Sequence, residues 1–237
     1  MSNKPEISIV IPTLNEEKCL ESALISLKNQ FISKNYEIII SDGYSTDKTL
    51  QIAKKYADKI VFEEKRTISA GRQTGAMEAD GRVIVSAGAD IHVDSTWLDS
   101  ITRPIFEGTH VASIGPVVPL DGTQIEDMFA HGFLTPLGGV LSKLGMHFAV
   151  ADNMAFDADS FREAGGFNPE LVTGEDTDLI KRIKNHGKIA YSSEALAYVS
   201  MRRVREWGYW KYLTFHTTNF AKFHFQGKAH KKYEPIR

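Results

Sequence analysis

The sequence predicts one α/β domain around a mostly parallel central sheet, followed by a basic, aromatic helical extension. Two observations carry this. Short apolar, β-branched runs recur at 6–12, 36–41, 60–62 and 82–86, and each leads into a stretch with apolar residues at helical spacing. Strands that are apolar throughout and alternate with helices belong to parallel sheets covered on both faces. Right-handed crossovers then set the loops after the strands along one edge, where open sheets of this kind bind ligands.

Glu6-Ile-Ser-Ile-Val-Ile-Pro12 reads as a buried strand closed by proline. Asn15 is placed to cap the next helix, with Glu16 and Glu17 in its first turn and Leu20, Ala23, Leu24 and Leu27 on its inner face. Tyr36 to Ser41 is the second strand, and Asp42-Gly43 turns the chain. Ser45 or Thr46 is expected to cap a helix bearing Leu50, Ala53 and Tyr56. Ile60 to Phe62 is a third strand, a helix covers roughly 69–79, Arg82 to Ser86 is a fourth strand, and Thr96 to Phe106 a helix. Past residue 110 the alternation weakens. Val111 to Val118 and Val150 to Phe156 read as strands of a mixed sheet, and Ile125 to His147, glycine-rich and of mixed polarity, takes no assignment. Asp176 to His186 is a helix stopped by Gly187, and 189–199 holds a further strand. Without repeats or a linker, the division is a domain over 1–200 and an extension over 201–237.

The charge balance of 28 basic to 30 acidic residues argues against general nucleic-acid binding. Its distribution is uneven, because 201–237 carries nine lysines and arginines against Glu206 and Glu234. Cys19, the single cysteine, excludes an internal disulfide and fits a reducing compartment. The start runs directly into a strand, so no secretion signal is expected. The most apolar stretch, 133–151, contains Lys143 and Pro136 and is not expected to span a membrane.

Four segments together resemble the family-2 glycosyltransferases, inverting enzymes of GT-A fold that use nucleotide-sugars. They are Ser8-Ile-Val-Ile-Pro-Thr-Leu-Asn-Glu-Glu17, Ser41-Asp-Gly-Tyr-Ser-Thr-Asp-Lys-Thr49, Ala70-Gly-Arg-Gln-Thr-Gly75 with Gly88-Ala-Asp90, and Gly165-Gly-Phe-Asn168 with Glu175-Asp176. Their order and spacing match that family over roughly 6–200. The resemblance implies a nucleotide-contacting loop at Pro12, Thr13, Asn15 and Glu16, although helix capping also accounts for Asn15-Glu16. It implies that Asp42 accepts a hydrogen bond from the base; the alternative is an aspartate shaping its own turn. Arg72 would approach the phosphates, unless it is a surface arginine on a helix. Gln73 stands where the family commonly has Asn.

In many such enzymes a strand ends in Asp-x-Asp and holds a divalent cation on the diphosphate. Here the triplet is Gly88-Ala89-Asp90, so the resemblance leaves Asp90 as the single ligand for Mg²⁺ or Mn²⁺. His92 falls outside the aligned motif. Glu175 and Asp176 match the acidic pair beside the acceptor, with Asp176 as the base that takes the acceptor proton; a dipole-favoured helix start is the bland account. Asp152-Asn153, before Met154-Ala-Phe156, resembles the acceptor-side strand of the family, where a polar residue, here Asn153, faces the donor sugar. His131, His147 and His216 have no assigned role and read as structural or surface residues.

On a helical wheel Tyr209, Trp210, Tyr212, Leu213, Phe220 and Phe223 share a face, with Lys211 and Lys222 opposite. Peripheral contact of 202–232 with an anionic membrane is one reading; packing on the catalytic domain, with arginines near phosphates, is the other. The expected partners are a nucleotide-sugar donor and a glycan or polyprenyl-phosphate acceptor, and the expected location is the cytoplasm, peripheral on the membrane face. The rival is a non-catalytic nucleotide- or glycan-binding relative degraded at Gly88. A sugar nucleotidyltransferase would need a glycine-rich, basic loop after the first strand, which 13–17 lacks.

Overall fold

The computed structural model describes residues 4–226. Its first half follows the predicted alternation: β1 (Ile7–Thr13), α1 (Leu20–Lys28), β2 (Tyr36–Asp42), α2 (Thr49–Tyr56), β3 (Lys59–Phe62), α3 (Ile68–Met77) and β4 (Val83–Ala87). Then come β5 (Ile91–Val93), α4 (Trp97–Phe106), β6 (Ala112–Ile114), β7 (Val117–Pro119), α5 (Gln124–Phe129), a π turn at Ala130–Leu134, and α6 (Thr135–Lys143). The remainder is β8 (Asn153–Asp157), α7 (Ala158–Glu163), α8 (Glu175–Ile183), β9 (Ile189–Tyr191), β10 (Ala197–Val199), α9 (Arg202–Trp207) and α10 (Tyr209–Gln226).

Seven strands form the main sheet in the order β3-β2-β1-β4-β8-β6-β9. All neighbours are parallel except β8, which runs antiparallel to β4 and to β6. The chain winds outward from β1 to β3 and then returns to place β4 on the other side of β1. That reversal opens a crevice at the carboxyl ends of β1 and β4, the place where such sheets take ligands. A small sheet, β5-β10-β7, stands beside it. Strand alternation fills two cores. Ile7, Ile9 and Ile11 pack with Leu20, Leu24, Trp97 and Ile101 on one face. Val10, Ile39 and Ile84 pack with Ala76, Phe161, Phe167 and Leu179 on the other.

Several local expectations are corrected. Asn15 does not cap α1, which begins at Leu20 after Cys19 without a side-chain cap. Asn15 is left-handed (φ 57°), and its Oδ1 accepts from the Thr46 N–H at 2.8 Å, so it joins two loops instead. Neither Ser45 nor Thr46 caps α2; Asp47 Oδ1 accepts the Thr49 N–H at 2.9 Å. The predicted strand over 111–118 is cut at Gly115-Pro116 into β6 and β7, which join different sheets. A side chain at Gly115 would meet the Ala195 carbonyl at 2.4 Å, so the break is set by tertiary packing. The unassigned 125–147 stretch is largely helical, opened by a capping box between Thr123 and Glu126. Lys228, Lys231, Lys232 and Arg237, and with them the last part of the expected membrane contact, lie outside the described residues, as do the side chains of Phe220 and Phe223.

Helix α3 lies unusually close to β1, and its glycines allow this. A Cβ on Gly75 would stand 2.5 Å from Val10 Cγ1, and one on Gly71 2.9 Å from Pro12 Cβ. The close approach sinks the intervening Arg72 to 1% exposure. Gly75→Ala is therefore expected to destabilise the chain by about 1–3 kcal/mol through overpacking, against a gain of under ~1 kcal/mol from helix propensity. A lowered urea midpoint with unchanged slope checks this; an unchanged or raised midpoint contradicts it.

Candidate active site

The loops after β1 and β2 are stitched together at the crevice. The Asn15 N–H donates to Ser45 Oγ at 2.8 Å, Glu16 N–H to Thr49 Oγ1 at 2.8 Å, and Gly43 N–H to the Thr13 carbonyl at 2.9 Å. Asp42 is fully buried and holds this junction: its carboxylate accepts from Thr13 Oγ1 (2.9 Å), Ser45 Oγ (2.6 Å) and the Ser45 N–H (2.7 Å). These three donors show Asp42 shaping its own turn, the alternative reading of this residue. Pro12 is half-buried under α3. Sequence reasoning missed Tyr44, a left-handed tyrosine (φ 60°) that packs on Phe62 with ring centroids 5.3 Å apart beside this junction. Its signal was a bulky residue inside a turn, where such a backbone conformation is uncommon.

Arg72 is the hub of the other wall. Nη1 donates to Ser86 Oγ (2.5 Å) and the Ala151 carbonyl (2.9 Å), Nη2 to Asp152 Oδ1 (2.6 Å), and Nε lies 3.6 Å from Glu175 Oε1. This corrects the reading of Arg72 as a surface arginine: it is buried, and its guanidinium reaches three parts of the fold, β4, the segment before β8 and α8. Asn153 is corrected likewise. It is fully buried, accepts from Trp97 Nε1 at 2.9 Å, and donates to the Pro116 and Ala195 carbonyls at 2.8 and 2.7 Å, so it braces β8 and faces no sugar.

Ala89, buried, carries the chain from β4 to Asp90. One carboxylate oxygen of Asp90 lies 3.1 Å from Arg202 Nε, and the same guanidinium donates to Glu16 Oε2 at 2.8 Å. Arg202, the first residue of α9, thus closes the crevice by bridging the β1 and β4 loops. Burial raises the pKa of both acids, and the charge on Asp152 pushes Asp90 up further. Glu175 and Asp176 begin α8 but point differently. Glu175 is buried against Arg72, whereas Asp176 is partly buried and accepts both the Thr177 N–H and hydroxyl on Oδ1. Burial, and then the charge on Asp176, push Glu175 up to about 7; burial also raises Asp176.

His92 is exposed on β5, His147 bonds Ser142 at 3.0 Å, His216 packs on Tyr212, and His131 lies against Tyr198. Among the described residues no group of three or more His, Cys, Asp or Glu is arranged to hold a metal ion.

A mixed sheet with its crevice at the β1/β4 reversal, walled by a nucleotide-type loop junction on one side and carboxylates on the other, defines a GT-A-type α/β domain. Residues 8–165 match the model for glycosyl transferase family 2, and the chain belongs to that family. It is 29% identical over 205 residues to the dolichyl N-acetyl-alpha-D-glucosaminyl phosphate 3-beta-D-2,3-diacetamido-2,3-dideoxy-beta-D-glucuronosyltransferase of Methanococcus voltae, a match covering 79% of this chain and 64% of that protein. It is 26% identical over 199 residues to glycosyltransferase AglE of Haloferax volcanii, covering 78% and 64%. The chain therefore spans under two-thirds of the length of these relatives. Among solved structures, the mannosyltransferase PcManGT from Pyrobaculum calidifontis, in complex with GDP-Man and Mn²⁺, superposes with a TM-score of 0.74 at 20% identity, over 97% of this chain and 67% of that one.

The Glu175 shift sets a pH dependence of stability. Its folded pKa, about 7, stands above the ordinary 4.5, so between those values the folded chain holds a proton that the unfolded chain has released. The contribution is fully present below pH ~4.5 and is lost as pH rises through ~7. Glu175→Gln, which cannot ionise, is expected to show a smaller fall in melting temperature between pH 5 and 8 than the parent chain. Parallel melting curves across that range would contradict the assignment.

Proposed function

We propose that this chain is an inverting glycosyltransferase that moves a sugar from a nucleoside-diphosphate donor to a hydroxyl on a lipid-phosphate-linked or glycan acceptor. One observation carries the reading: Asp90 at the β4 end and the partly buried Asp176 at the start of α8 both belong to the carboxylate side of the crevice, where Arg72 pairs with Asp152 and with Glu175 between them in the charge network. The donor diphosphate lies at the Asp90 end and the acceptor at the Asp176 end. Asp176 takes the acceptor hydroxyl proton as that oxygen bonds the anomeric carbon from the face opposite the leaving group. The bond from that carbon to the diphosphate oxygen breaks, and the nucleoside diphosphate leaves with the electron pair. Burial, which keeps Asp176 more basic than a free carboxylate, suits it to this role. Glu175 and Arg72 hold it in place without touching the reacting atoms.

The donor set fits a hard divalent cation, because Asp90 offers carboxylate oxygen and a guanidinium already lies against it. When bound there, Mg²⁺ or Mn²⁺ supplies charge neutralisation on the leaving diphosphate. The Mn²⁺ in the mannosyltransferase structure supports the same reading here.

The test is donor hydrolysis and binding across UDP-, GDP- and dTDP-sugars, with and without Mn²⁺. Turnover of at least one donor is expected, with Asp176→Asn lowering kcat about 10²–10⁴-fold at little change in donor affinity. Binding of none of these donors, or full activity in Asp176→Asn, sinks the proposal.

A lipid-linked acceptor is supported by the M. voltae relative and by an exposed apolar surface on α5 and α6. Ile125 and Met128 are 74% and 70% exposed, and Trp210 of α10 is 81% exposed. Glu126 of α5 pairs with Arg205 of α9 and accepts from the Tyr209 hydroxyl of α10, so these helices are tied together. Monomeric domains seldom leave so many large apolar groups open together. Among the described residues no helix is long and apolar enough to cross a membrane, so the contact proposed is peripheral. Co-sedimentation with vesicles containing anionic lipid is expected and should weaken severalfold in Ile125→Ser/Met128→Ser. Equal recovery of both proteins without pelleting contradicts it.

A further inference from the structure

The carboxylate that residue 88 lacks has a physical replacement. β4 and β8 run antiparallel with Ala87 opposite Asn153, so one step further along each strand Gly88 faces Asp152. A Cβ on Gly88 would stand 2.8 Å from Asp152 Oδ1 and 3.0 Å from its Cγ. The Asp152 carboxyl group thus fills the space into which a side chain at 88 would grow. A side chain at 88 would displace the Asp152 carboxyl group from the place where Arg72 holds it, and this chain has the aspartate at 152. Asp152 is also accessible: its side chain is 23% exposed, against 19% for Asp90.

From this geometry, and resting on the donor-site reading of Asp90 above, we infer that Asp152 supplies the second carboxylate of the cation-binding end of the crevice, delivered from β8 across the sheet instead of from β4. The Arg202 guanidinium against Asp90 Oδ2 and Glu16 Oε2 is an independent sign that this end of the crevice accepts a cation. Two protein carboxylates match what a cation bridging a nucleoside diphosphate takes from a protein, the remaining ligands being phosphate oxygens and water. Arg72 holds Asp152 through Oδ1. Such a contact orients a ligating carboxylate, much as outer partners do in metal sites. The triplet Gly88-Ala89-Asp90 is then complete in space, though not in sequence.

The rival account is that Asp152 only anchors Arg72. Asp152→Asn separates the two, since its amide oxygen still accepts from Arg72 while the charge is gone. Mn²⁺ binding is read by electron paramagnetic resonance with UDP or GDP present, alongside thermal melting. Asp152→Asn is expected to stay folded at a lowered melting temperature, since it removes a charge from beside Arg72, and to weaken Mn²⁺ about 10-fold or more, comparable to Asp90→Asn. Gly88→Asp alone is expected to lower the melting temperature and bind Mn²⁺ poorly, because the two groups crowd each other. Gly88→Asp/Asp152→Asn is expected to bind Mn²⁺ more tightly than Asp152→Asn, because a carboxylate returns to that end of the crevice. If Asp90→Asn loses Mn²⁺ while Asp152→Asn retains parental affinity, the inference is overturned and the donor-site reading stands. If the parent binds no Mn²⁺ with either nucleotide, or if neither substitution changes its affinity, both are overturned.

Discussion

A buried guanidinium organises this molecule. Arg72 is almost wholly removed from water, and an uncompensated charge there would cost several kcal/mol. Its neighbours are therefore fixed in kind as well as place: a hydroxyl from β4, a carbonyl and a carboxylate from the segment before β8, and a carboxylate from α8. Those groups come from three separate parts of the chain. Removing one partner would leave the charge buried and unpaired, a larger penalty than the loss of one hydrogen bond. The glycines that let α3 rest on β1 put the arginine where this condition applies. The carboxylates of the site are thus located by the fold's need to neutralise Arg72, and their availability for chemistry follows from that.

The half of the fold most legible in the sequence is the half where local pattern and tertiary environment agree. β1, β2 and β4 are short β-branched runs buried on both faces, and periodicity is enough to find them. Legibility falls where contacts from distant segments decide. β6 and β7 read as one strand because nothing local separates them; the break arises from the Ala195 carbonyl and the Asn153 amide pressing on Gly115. The α5–α6 region resisted assignment because its large apolar residues are exposed, so it lacks the one-sided burial that marks a surface helix. The cap expected at Asn15 went instead to a loop-to-loop hydrogen bond, a choice invisible without knowing that the β2 loop lies alongside.

Of the site, sequence identified positions better than orientations. Asp90, Glu175 and Asp176 line the crevice, and Thr13 to Glu16 edges it. Asp42, Arg72 and Asn153 are at its back, with their polar atoms spent on the chain itself. These residues support the site without facing a ligand in this structure, and residue type cannot distinguish the two roles. Arg202 came from a segment that read equally well as a membrane helix. Asp152 was visible beside Asn153, but its relation to Gly88 depends on the β4–β8 register.

Charge explains why the crevice is arranged as it is. Arg202 pairs with Glu16 and Asp90, Arg72 pairs with Asp152 and Glu175, and Arg203 adds positive charge beside Glu16 and Asp90. Burial is the largest cause of the raised pKa values of Glu16, Asp90, Glu175 and Asp176. A diphosphate entering such a site meets repulsion at short range, and in a partly desolvated crevice that repulsion is not screened away. Under the proposed function, positive charge would have to accompany the donor, since Arg202 is already held by Asp90 and Glu16. A divalent cation beside Asp90 would supply it.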